Sequence, residues 1–252
     1  MKAMILAAGL GTRLRPLTDD RPKALVTVAG RTLLEITLSR LRSFGVTEVI
    51  VNAHHHAQMI ADYLNAHNFG MRIELSLESE LLDTGGGLKK AAHFFNSQGP
   101  FILHNVDVLT AIDLGQMLRF HSEQRALATL AVQQRESSRQ LLFDKQGQLC
   151  GRRVVSDTMV VSGTAQADQL VRPAQQLQPL AFSGIHVLSP LIFAKMEEQG
   201  AFSIIDAYLH LASQGEKIVA FRADGYYWRD LGRPENLLEA AQDIANGKYS
   251  EN

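Results

Sequence analysis

The fold is decided by a glycine-rich stretch that reads Gly9-Leu10-Gly11-Thr12-Arg13-Leu14-Arg15-Pro16-Leu17-Thr18 and is closed by Arg21-Pro22-Lys23. We call residues 9–23 the signature loop. It directly follows Lys2–Ala7, an apolar run that predicts a buried strand. Open α/β sheets bind ligands beyond the carboxyl ends of their strands, which is where this loop lies. Its glycines let backbone N–H groups approach phosphate oxygens closely, and its arginines and lysine add positive charge.

Two common phosphate-binding motifs are excluded by particular positions in the signature loop. Leu14 occupies the third glycine position of a dinucleotide-binding fingerprint, and no Gly-Lys-Ser/Thr follows as in a Walker A loop. Gly-x-Gly alone is equally consistent with a strand-to-helix turn that carries solvated charges. The whole string through Pro22-Lys23 is far more specific than that short motif.

Short apolar runs alternate with helix-period segments through the first half of the chain. Further strands are predicted at Glu48–Val51, Arg72–Leu77 and Phe101–His104, and helices at Leu33–Phe44, Ala57–Leu64 and Gly87–Phe95. Strands that are separated by helices favour a mostly parallel sheet with helices on both faces. The predicted fold class is therefore α/β.

The second half of the chain is predicted to be richer in strands joined by turns. The predicted strands are Leu127–Val132, Leu141–Phe143, Gln148–Gly151, Phe182–Val187, Ile218–Phe221 and Tyr226–Leu231, with a hairpin loop at Asp144–Gly147. Helices are predicted at Pro190–Met196, Ile204–Ser213 and Pro234–Ala245. We expect one domain over residues 1–252, with a small β-rich insertion at about 135–180.

The composition excludes several functional classes. The chain has 25 Lys+Arg against 26 Asp+Glu, which gives no electrostatic footprint for nucleic acid or an anionic membrane surface. A single cysteine, Cys150, excludes an internal disulfide and a multi-thiolate metal site. No apolar run approaches the roughly 18 residues of a membrane span, and the N-terminus lacks a signal-peptide cleavage site. We expect a cytoplasmic protein with neither nucleic acid nor membrane as a partner.

Two acidic residues follow predicted strands and are candidate metal ligands. Asp107 lies in Asn105-Val106-Asp107-Val108, and Asp230 lies in Trp228-Arg229-Asp230-Leu231-Gly232. Two carboxylates at strand ends can converge on Mg²⁺, which keeps waters and phosphates as its other ligands. Alternatively, Asp107 caps the next turn and Asp230 pairs with a neighbouring arginine. Spacing alone leaves both interpretations open.

A glycine run, Leu82-Asp83-Thr84-Gly85-Gly86-Gly87, precedes a helix that is predicted to begin near Leu88. Exposed N–H groups at that helix start could face a nucleobase, a ribose or a phosphate. Alternatively, the glycines form a flexible entry turn with Thr84 as the N-cap. The consecutive histidines His54–His56 cannot share one helix face, so they predict a polar loop rather than a metal site.

These motifs together resemble those of the sugar-1-phosphate nucleotidylyltransferases, which join a nucleoside triphosphate to a sugar 1-phosphate and release pyrophosphate. The resemblance covers nearly the whole chain and includes Phe182-Ser183-Gly184-Ile185, which is similar to the segment lining the family's sugar pocket. It implies a three-layer Rossmann-like nucleotidyltransferase fold with a mostly parallel central sheet. It also implies an enzyme that uses Mg²⁺. The chain ends soon after its last predicted helix, so no C-terminal β-helix is expected.

The resemblance implies roles for particular residues. The implied catalytic residues are Arg13 and Lys23, and the implied metal ligands are Asp107 and Asp230. The implied nucleotide-binding residues are Ala7, Ala8, Gly9, Gly11, Thr12, Arg13, Glu78, Thr84 and Gly85. The implied sugar-binding residues are Asn105, Ser183, Gly184 and Trp228. Alternatively, Phe182 and Trp228 belong to the core, which is the commoner position of such residues.

The resemblance leaves the clamp for the sugar phosphate unassigned. Several relatives carry Glu-Lys-Pro, whose lysine holds this phosphate, where the present chain has Arg172-Pro173. Arg152, Arg153 and Arg172 are the candidates for that role.

The favoured substrate pair is UTP and N-acetylmuramic acid 1-phosphate, as in short relatives that act in cell-wall recycling. Glu78 can accept a hydrogen bond from uracil but also from guanine, so guanylyl transfer to mannose or heptose 1-phosphate stays open. A catalytically silent nucleotide-sugar sensor could lose its cations or acids, yet all four are present. A sugar transferase would need an Asp-x-Asp pair, whereas Asn105-Val106-Asp107 offers one carboxylate.

Overall fold

The computed structural model describes residues 1–96, 99–160 and 163–249. The strands are β1 (Lys2–Leu6), β2 (Thr27–Val28), β3 (Arg31–Thr32), β4 (Glu48–Ala53), β5 (Arg72–Leu77), β6 (Phe101–Asn105), β7 (Val108–Thr110), β8 (Ala128–Gln133), β9 (Arg139–Phe143), β10 (Leu149–Val160), β11 (Gly163–Leu170), β12 (Gln178–Leu188), β13 (Ile218–Arg222) and β14 (Trp228–Asp230). The helices are α1 (Leu33–Ser43), α2 (Ala57–Ala66), α3 (Asp83–Lys90), α4 (Leu114–Gln124), α5 (Ile192–Lys195), α6 (Ile204–Ser213) and α7 (Pro234–Ala245). Short 3-10 helices lie at Thr12–Leu14, Lys23–Leu25 and Ala91–Phe94.

Ten of the described strands form one sheet whose centre is parallel. Its main path runs β11-β10-β9-β12-β6-β1-β4-β5, and β8 lies between β12 and β13. β1 pairs in parallel with β4 and β6, and β4 pairs in parallel with β5. β12 runs antiparallel to β6, β8 and β9. The carboxyl ends of β1, β4 and β6 therefore meet at one edge, directly before the loops that carry the predicted site.

Helices cover both faces of the sheet. Successive side chains of the central strands point to opposite faces, so each face carries apolar residues that a helix can bury. In β1, Ala3 and Ile5 belong to one apolar cluster and Met4 belongs to another. The first cluster includes side chains of α1, α2, α4 and α7, and the second includes side chains of α3 and α6. This arrangement confirms the predicted three-layer α/β fold. None of the described helices is long and apolar enough to cross a membrane.

Most predicted elements are present, with ends that are shifted by a few residues. Arg72–Leu77, Ile204–Ser213 and Pro234–Ala245 have the predicted limits. Helix α4 was not predicted, although the Asp113 side chain marks its start by accepting a hydrogen bond from the Gln116 amide at 2.8 Å. The consecutive histidines lie in the loop before α2, as predicted.

The β-rich segment is longer than predicted. β10 continues past Gly151 to Val160, and β11 was not predicted. Both extend the main sheet, since β10 pairs with β9 and β11 in antiparallel register. The hairpin loop is confirmed, because the Asp144 carboxylate accepts hydrogen bonds from the Gln146 amide at 3.0 Å and from the Gln148 amide at 2.8 Å. The single-domain limits of 1–252 stay a prediction.

Helix α3 corrects the interpretation of the glycine run. It begins at Asp83 rather than near Leu88, so the three glycines lie inside it. A Cβ on Gly86 would lie 2.3 Å from the Gly200 carbonyl oxygen, and one on Gly85 would lie 2.3 Å from the Phe202 ring. The run is therefore a requirement of close packing and not a flexible entry turn. Leu82, and not Thr84, occupies the N-cap position.

Three buried histidines make the stability depend on pH. Burial lowers the pKa of His104 and His121 to about 4 and that of His186 to about 3. Histidine in an unfolded chain has a pKa of about 6.5. Between pH of about 6.5 and about 4, the unfolded chain therefore binds more protons than the folded chain. We expect the free energy of unfolding, measured with urea, to fall as the pH is lowered from 7 to 5.

A single substitution tests this origin of the pH dependence. His121→Asn removes one of the buried imidazoles and should make the decline with pH shallower. His55→Asn, which changes an exposed histidine of the loop before α2, should leave the decline unchanged. The same decline in both variants and the parent protein would rule out a contribution from His121.

Candidate active site

The signature loop folds back on itself directly after β1. Gly11 has a φ of 66°, and a Cβ there would lie 2.9 Å from the Thr18 methyl group. The Thr18 hydroxyl donates a hydrogen bond to the Gly11 carbonyl at 2.8 Å. A Cβ on Gly11 would also lie 3.2 Å from the Cβ of Lys23. Glycine is therefore needed here so that the two ends of the loop can meet.

Each predicted catalytic cation lies beside a predicted metal ligand. Lys23 is 9% exposed and forms an ion pair with Asp107. Arg13 Nη1 lies 3.9 Å from Asp230 Oδ2, and both of these side chains are partly exposed. The third cation of the loop, Arg15, forms an exposed ion pair within the loop instead.

A short antiparallel pair of strands, β7 and β14, brings the two acids together. Asp230 lies opposite the start of β7, and the Leu231 amide donates a hydrogen bond to the Asp107 carbonyl at 2.7 Å. The Asp230 carboxylate accepts a hydrogen bond from the Gly232 amide at 2.7 Å. A Cβ on Gly232 would lie 2.6 Å from Arg13 Nη2, so a larger residue would obstruct the approach of Arg13 to Asp230.

Asp107 and Asp230 supply oxygen ligands of the kind that Mg²⁺ binds. A cationic side chain already lies beside each carboxylate, so the arrangement accepts positive charge at this point. Among the described residues, no group of three or more His, Cys, Asp or Glu side chains could hold a metal ion. A metal at this edge would therefore need waters or substrate oxygens as its remaining ligands.

A cavity of about 320 Å³ opens at the carboxyl ends of β1, β4 and β6. It is lined by Leu6, Ala7, Ala8, Gly9, Lys23, Asn52, Leu81, Asp83, Thr84, Asn105, Val106 and Asp107. Several predicted nucleotide, sugar, catalytic and metal residues thus share one cavity. Gly11 and Thr12 shape the signature loop without lining the cavity, and Asn52 is a lining residue that was not predicted.

Glu78 stabilises the scaffold around this cavity and does not line it. The residue is 5% exposed, and its carboxylate accepts hydrogen bonds from Asn52 Nδ2 at 2.8 Å and from the Leu82 amide at 3.1 Å. The Asn52 side-chain oxygen accepts a hydrogen bond from the Ala7 amide at 2.7 Å. This chain of bonds ties the end of β1 to the start of α3. The carboxylate is thus engaged within the protein in this structure, and its contact with the base stays a prediction.

Thr84 and Gly85 are also used within the protein. The Gly85 amide donates a hydrogen bond to the Phe202 carbonyl at 2.9 Å, and the Thr84 hydroxyl accepts one from the Ile204 amide at 3.0 Å. The prediction of free amide groups here is therefore wrong for Gly85. Thr84 still lines the cavity, and its contact with the nucleotide stays a prediction.

The predicted sugar-binding residues come together around Gly184. This glycine has a φ of 75°, and a Cβ there would lie 3.0 Å from Asn105 Nδ2. Trp228 Nε1 donates a hydrogen bond to the Ser183 carbonyl at 2.8 Å. Trp228 is half-buried against the apolar core, as the alternative interpretation expected, and its contact with the sugar stays a prediction.

The three arginines that were considered as a sugar-phosphate clamp form ion pairs or hydrogen bonds with other side chains of the protein. Arg152 and Arg153 each form an ion pair at 2.6 Å, and Arg172 donates a hydrogen bond to Gln148 at 3.1 Å. A different arginine, Arg135, lies beside the sugar-binding residues. Its neighbours in the sequence form no motif that could have marked it.

One protein family and two known proteins match nearly the whole chain. The family described as nucleotidyl transferase matches residues 2–247. An N-acetylmuramate alpha-1-phosphate uridylyltransferase from Caulobacter vibrioides is 34% identical over 249 residues, which cover 96% of this chain and 96% of that protein. A mannose-1-phosphate guanylyltransferase from Mycobacterium tuberculosis is 28% identical over 247 residues, which cover 97% of this chain and 65% of that protein.

Solved structures share the fold at lower sequence identity. HddC from Yersinia pseudotuberculosis, in complex with GMP-PN, superimposes with a TM-score of 0.74 and 23% identity. The likeness covers 96% of this chain and 99% of that one. At this level of identity the comparison establishes the fold alone.

The packing of α3 leads to a stability prediction. Gly86→Ala places a methyl group 2.3 Å from a backbone oxygen, which cannot move aside as a side-chain end can. Overpacking costs about 1–3 kcal/mol, which should exceed the gain of about 1 kcal/mol from replacing glycine in a helix. We expect a lower urea midpoint for Gly86→Ala. Gly225→Ala, where a Cβ meets nothing within 4 Å, is the matched control. Two unchanged midpoints would disprove the close packing of α3.

Proposed function

The chain belongs to the nucleotidyl transferase family, and we propose that it transfers a nucleotidyl group from a nucleoside triphosphate to a sugar 1-phosphate. The observation that carries the proposal is the pairing of two cations with two carboxylates. Lys23 and Asp107 line the cavity. Arg13 and Asp230 form the second pair, and the Leu231 amide joins the Asp230 strand to the Asp107 carbonyl. UTP and N-acetylmuramic acid 1-phosphate are the proposed substrates. The similarity to the uridylyltransferase of Caulobacter vibrioides supports this pair.

Electrostatic repulsion is the main obstacle to this reaction, because both substrates are anions. Two unit charges at about 4 Å repel by about 4 kcal/mol at an effective dielectric constant of about 20. Lys23 is held in place by burial and offers a compact positive charge. The Arg13 side chain is 56% exposed and can move toward a bound triphosphate. Lys23 therefore offsets the repulsion between the substrates from a fixed position, and Arg13 offsets it from a position that can adjust.

In the proposed step, an oxygen of the sugar 1-phosphate attacks the α-phosphorus in line with the departing pyrophosphate. The new bond joins this oxygen to the α-phosphorus, and the bond from the α-phosphorus to the bridging oxygen breaks. No general base is needed, because a phosphate monoester is largely ionised at pH 7. Lys23 would contact the reacting phosphates, and Arg13 would stabilise charge on the α-phosphate and on pyrophosphate.

Asp107 and Asp230 are the residues that would hold Mg²⁺. The chemistry of the pair fits, since two carboxylates leave ligand positions for water and phosphate oxygens. When bound, the metal supplies positive charge that neutralises the phosphate oxygens. In the proposed reaction the substrate phosphates would take over the contacts of Lys23 and Arg13, which would leave both carboxylates free to hold the metal.

The proposed substrates place the reaction in nucleotide-sugar synthesis. N-acetylmuramic acid is a sugar of peptidoglycan, so we extend the proposal to peptidoglycan recycling. UTP is a cytoplasmic nucleotide, which makes the cytoplasm the proposed location.

Guanylyl transfer to mannose or heptose 1-phosphate is the second candidate. It is favoured by the similarity to the guanylyltransferase of Mycobacterium tuberculosis. The chain is 28% identical to that relative and 34% identical to the Caulobacter vibrioides protein, which favours uridylyl transfer. A catalytically silent sensor is disfavoured, because it would not require the convergence of Arg13, Lys23 and both acids.

A matrix of nucleoside triphosphates and sugar 1-phosphates tests the proposed function. Pyrophosphate release should give the highest kcat/KM for UTP with N-acetylmuramic acid 1-phosphate. A higher value for GTP with mannose or heptose 1-phosphate would establish the second candidate. Tight binding of nucleotide sugars without pyrophosphate release in any combination would establish a sensor.

Asp107→Asn tests the acidic residues. The substitution removes the charge that pairs with Lys23 and weakens the proposed metal site, so turnover should fall by roughly 100-fold or more. Raising the Mg²⁺ concentration should restore part of the loss. Asp62→Asn, which changes an exposed aspartate of α2, is the control. Near-normal turnover and an unchanged Mg²⁺ requirement would remove Asp107 from the site.

A further inference from the structure

Arg135 lies on the sugar side of the candidate active site. Its guanidinium carbon is 3.7 Å from the centre of the Trp228 ring. Its Nη2 donates a hydrogen bond to the Phe182 carbonyl at 2.7 Å. Trp228 is bonded in turn to Ser183, the next residue along the chain from Phe182. Arg135 therefore belongs to the same cluster as the predicted sugar-binding residues.

Among the residues with a described position, no carboxylate is paired with this arginine. In the part of the chain that the structure describes, Arg135 forms no ion pair, and its Nε is buried without a hydrogen-bond partner. Burial lowers the pKa of the guanidinium, and the charge of Asp230 opposes that shift from a distance. A partly buried cation is costly unless an anion joins it. The position of Arg135 therefore favours an anionic group on a ligand.

The proposed sugar substrate carries such a group. N-acetylmuramic acid 1-phosphate has a lactyl ether that ends in a carboxylate, in addition to its phosphate. N-acetylglucosamine 1-phosphate has a similar N-acetylated ring without that carboxylate. On the phosphate side, Lys23 and Arg13 already provide positive charge. The second anionic group needs a cation of its own on the sugar side.

We propose that Arg135 binds the lactyl carboxylate of the sugar substrate and thereby selects N-acetylmuramic acid 1-phosphate, an inference that rests on the proposed function. A guanidinium has five N–H donors, and the Phe182 carbonyl takes only one of them. Hydrogen bonds from a guanidinium to a carboxylate are charge-assisted and strong. The contacts with Trp228 and Phe182 hold the guanidinium in place. Because Arg135 acts on binding, its loss should raise KM more than it lowers kcat.

The test compares two sugars that differ in the lactyl group. Arg135→Met keeps an unbranched apolar stem but removes the guanidinium and its charge. With UTP as co-substrate, kcat/KM for N-acetylmuramic acid 1-phosphate should fall by roughly 10- to 100-fold. The value for N-acetylglucosamine 1-phosphate should change little. Arg135→Lys keeps the charge and should recover part of the loss.

Arg42→Met is the matched control, because Arg42 also donates a hydrogen bond to a phenylalanine carbonyl, that of Phe69 at 3.2 Å, but lies on α1. It should leave both sugars unaffected. Calorimetry with the products, UDP-N-acetylmuramic acid and UDP-N-acetylglucosamine, gives a readout that needs no turnover. Arg135→Met should weaken the binding of UDP-N-acetylmuramic acid and leave that of UDP-N-acetylglucosamine unchanged.

The possible results distinguish a failure of the inference about Arg135 from a failure of the proposed function. Equal losses for both sugars would assign Arg135 to the shared phosphate or to the scaffold, and no loss would exclude it from the site. Either result overturns the inference while the proposed function stands. A parent protein without turnover for any substrate pair would overturn the proposed function. Calorimetry would then still decide whether Arg135 distinguishes the two nucleotide sugars.

Discussion

The ion pair between the buried Lys23 and the half-buried Asp107 is the contact on which the candidate site depends. It joins the end of the signature loop to the turn between β6 and β7, and the Asp107 carbonyl also accepts a hydrogen bond from the Leu231 amide beside β14. A buried lysine needs a partner, because an unpaired charge in the interior is strongly unfavourable. The pair therefore positions the loop, one acid and the strand that carries Asp230 at the same time. In the proposed reaction, substrate phosphates would replace Asp107 beside Lys23.

A second set of contacts holds the opposite wall of the cavity. Asn52 accepts the Ala7 amide and donates to Glu78, and Glu78 accepts the Leu82 amide before α3. The glycines of α3 allow that helix to lie close to the segment around Gly200. Both walls are thus fixed by hydrogen bonds and close packing, so the cavity is largely formed before a substrate binds. Such preorganisation is what a reaction based on positioning and charge neutralisation requires.

The sequence was sufficient to predict the parts of the site that follow from topology. Carboxyl ends of parallel strands meet at one edge, so the order of strands and helices already places Asp107 near the signature loop. The engagement of Glu78 could not be predicted, because its partner Asn52 lies 26 residues away on a neighbouring strand. Arg135 was missed for the same reason, since it is defined by its contact with Trp228 and not by a motif. The resemblance to a family could supply roles for positions but not the contacts that this chain makes there.

In the proposed reaction, Asp107 and Asp230 accept a metal when substrate phosphates draw Lys23 and Arg13 away. Electron paramagnetic resonance of Mn²⁺, titrated as a substitute for Mg²⁺, tests it directly. We expect weak binding to the protein alone, where Lys23 and Arg13 lie against the carboxylates, and one tightly bound ion when UTP is present. Mn²⁺ that binds equally tightly without the nucleotide would contradict this exchange.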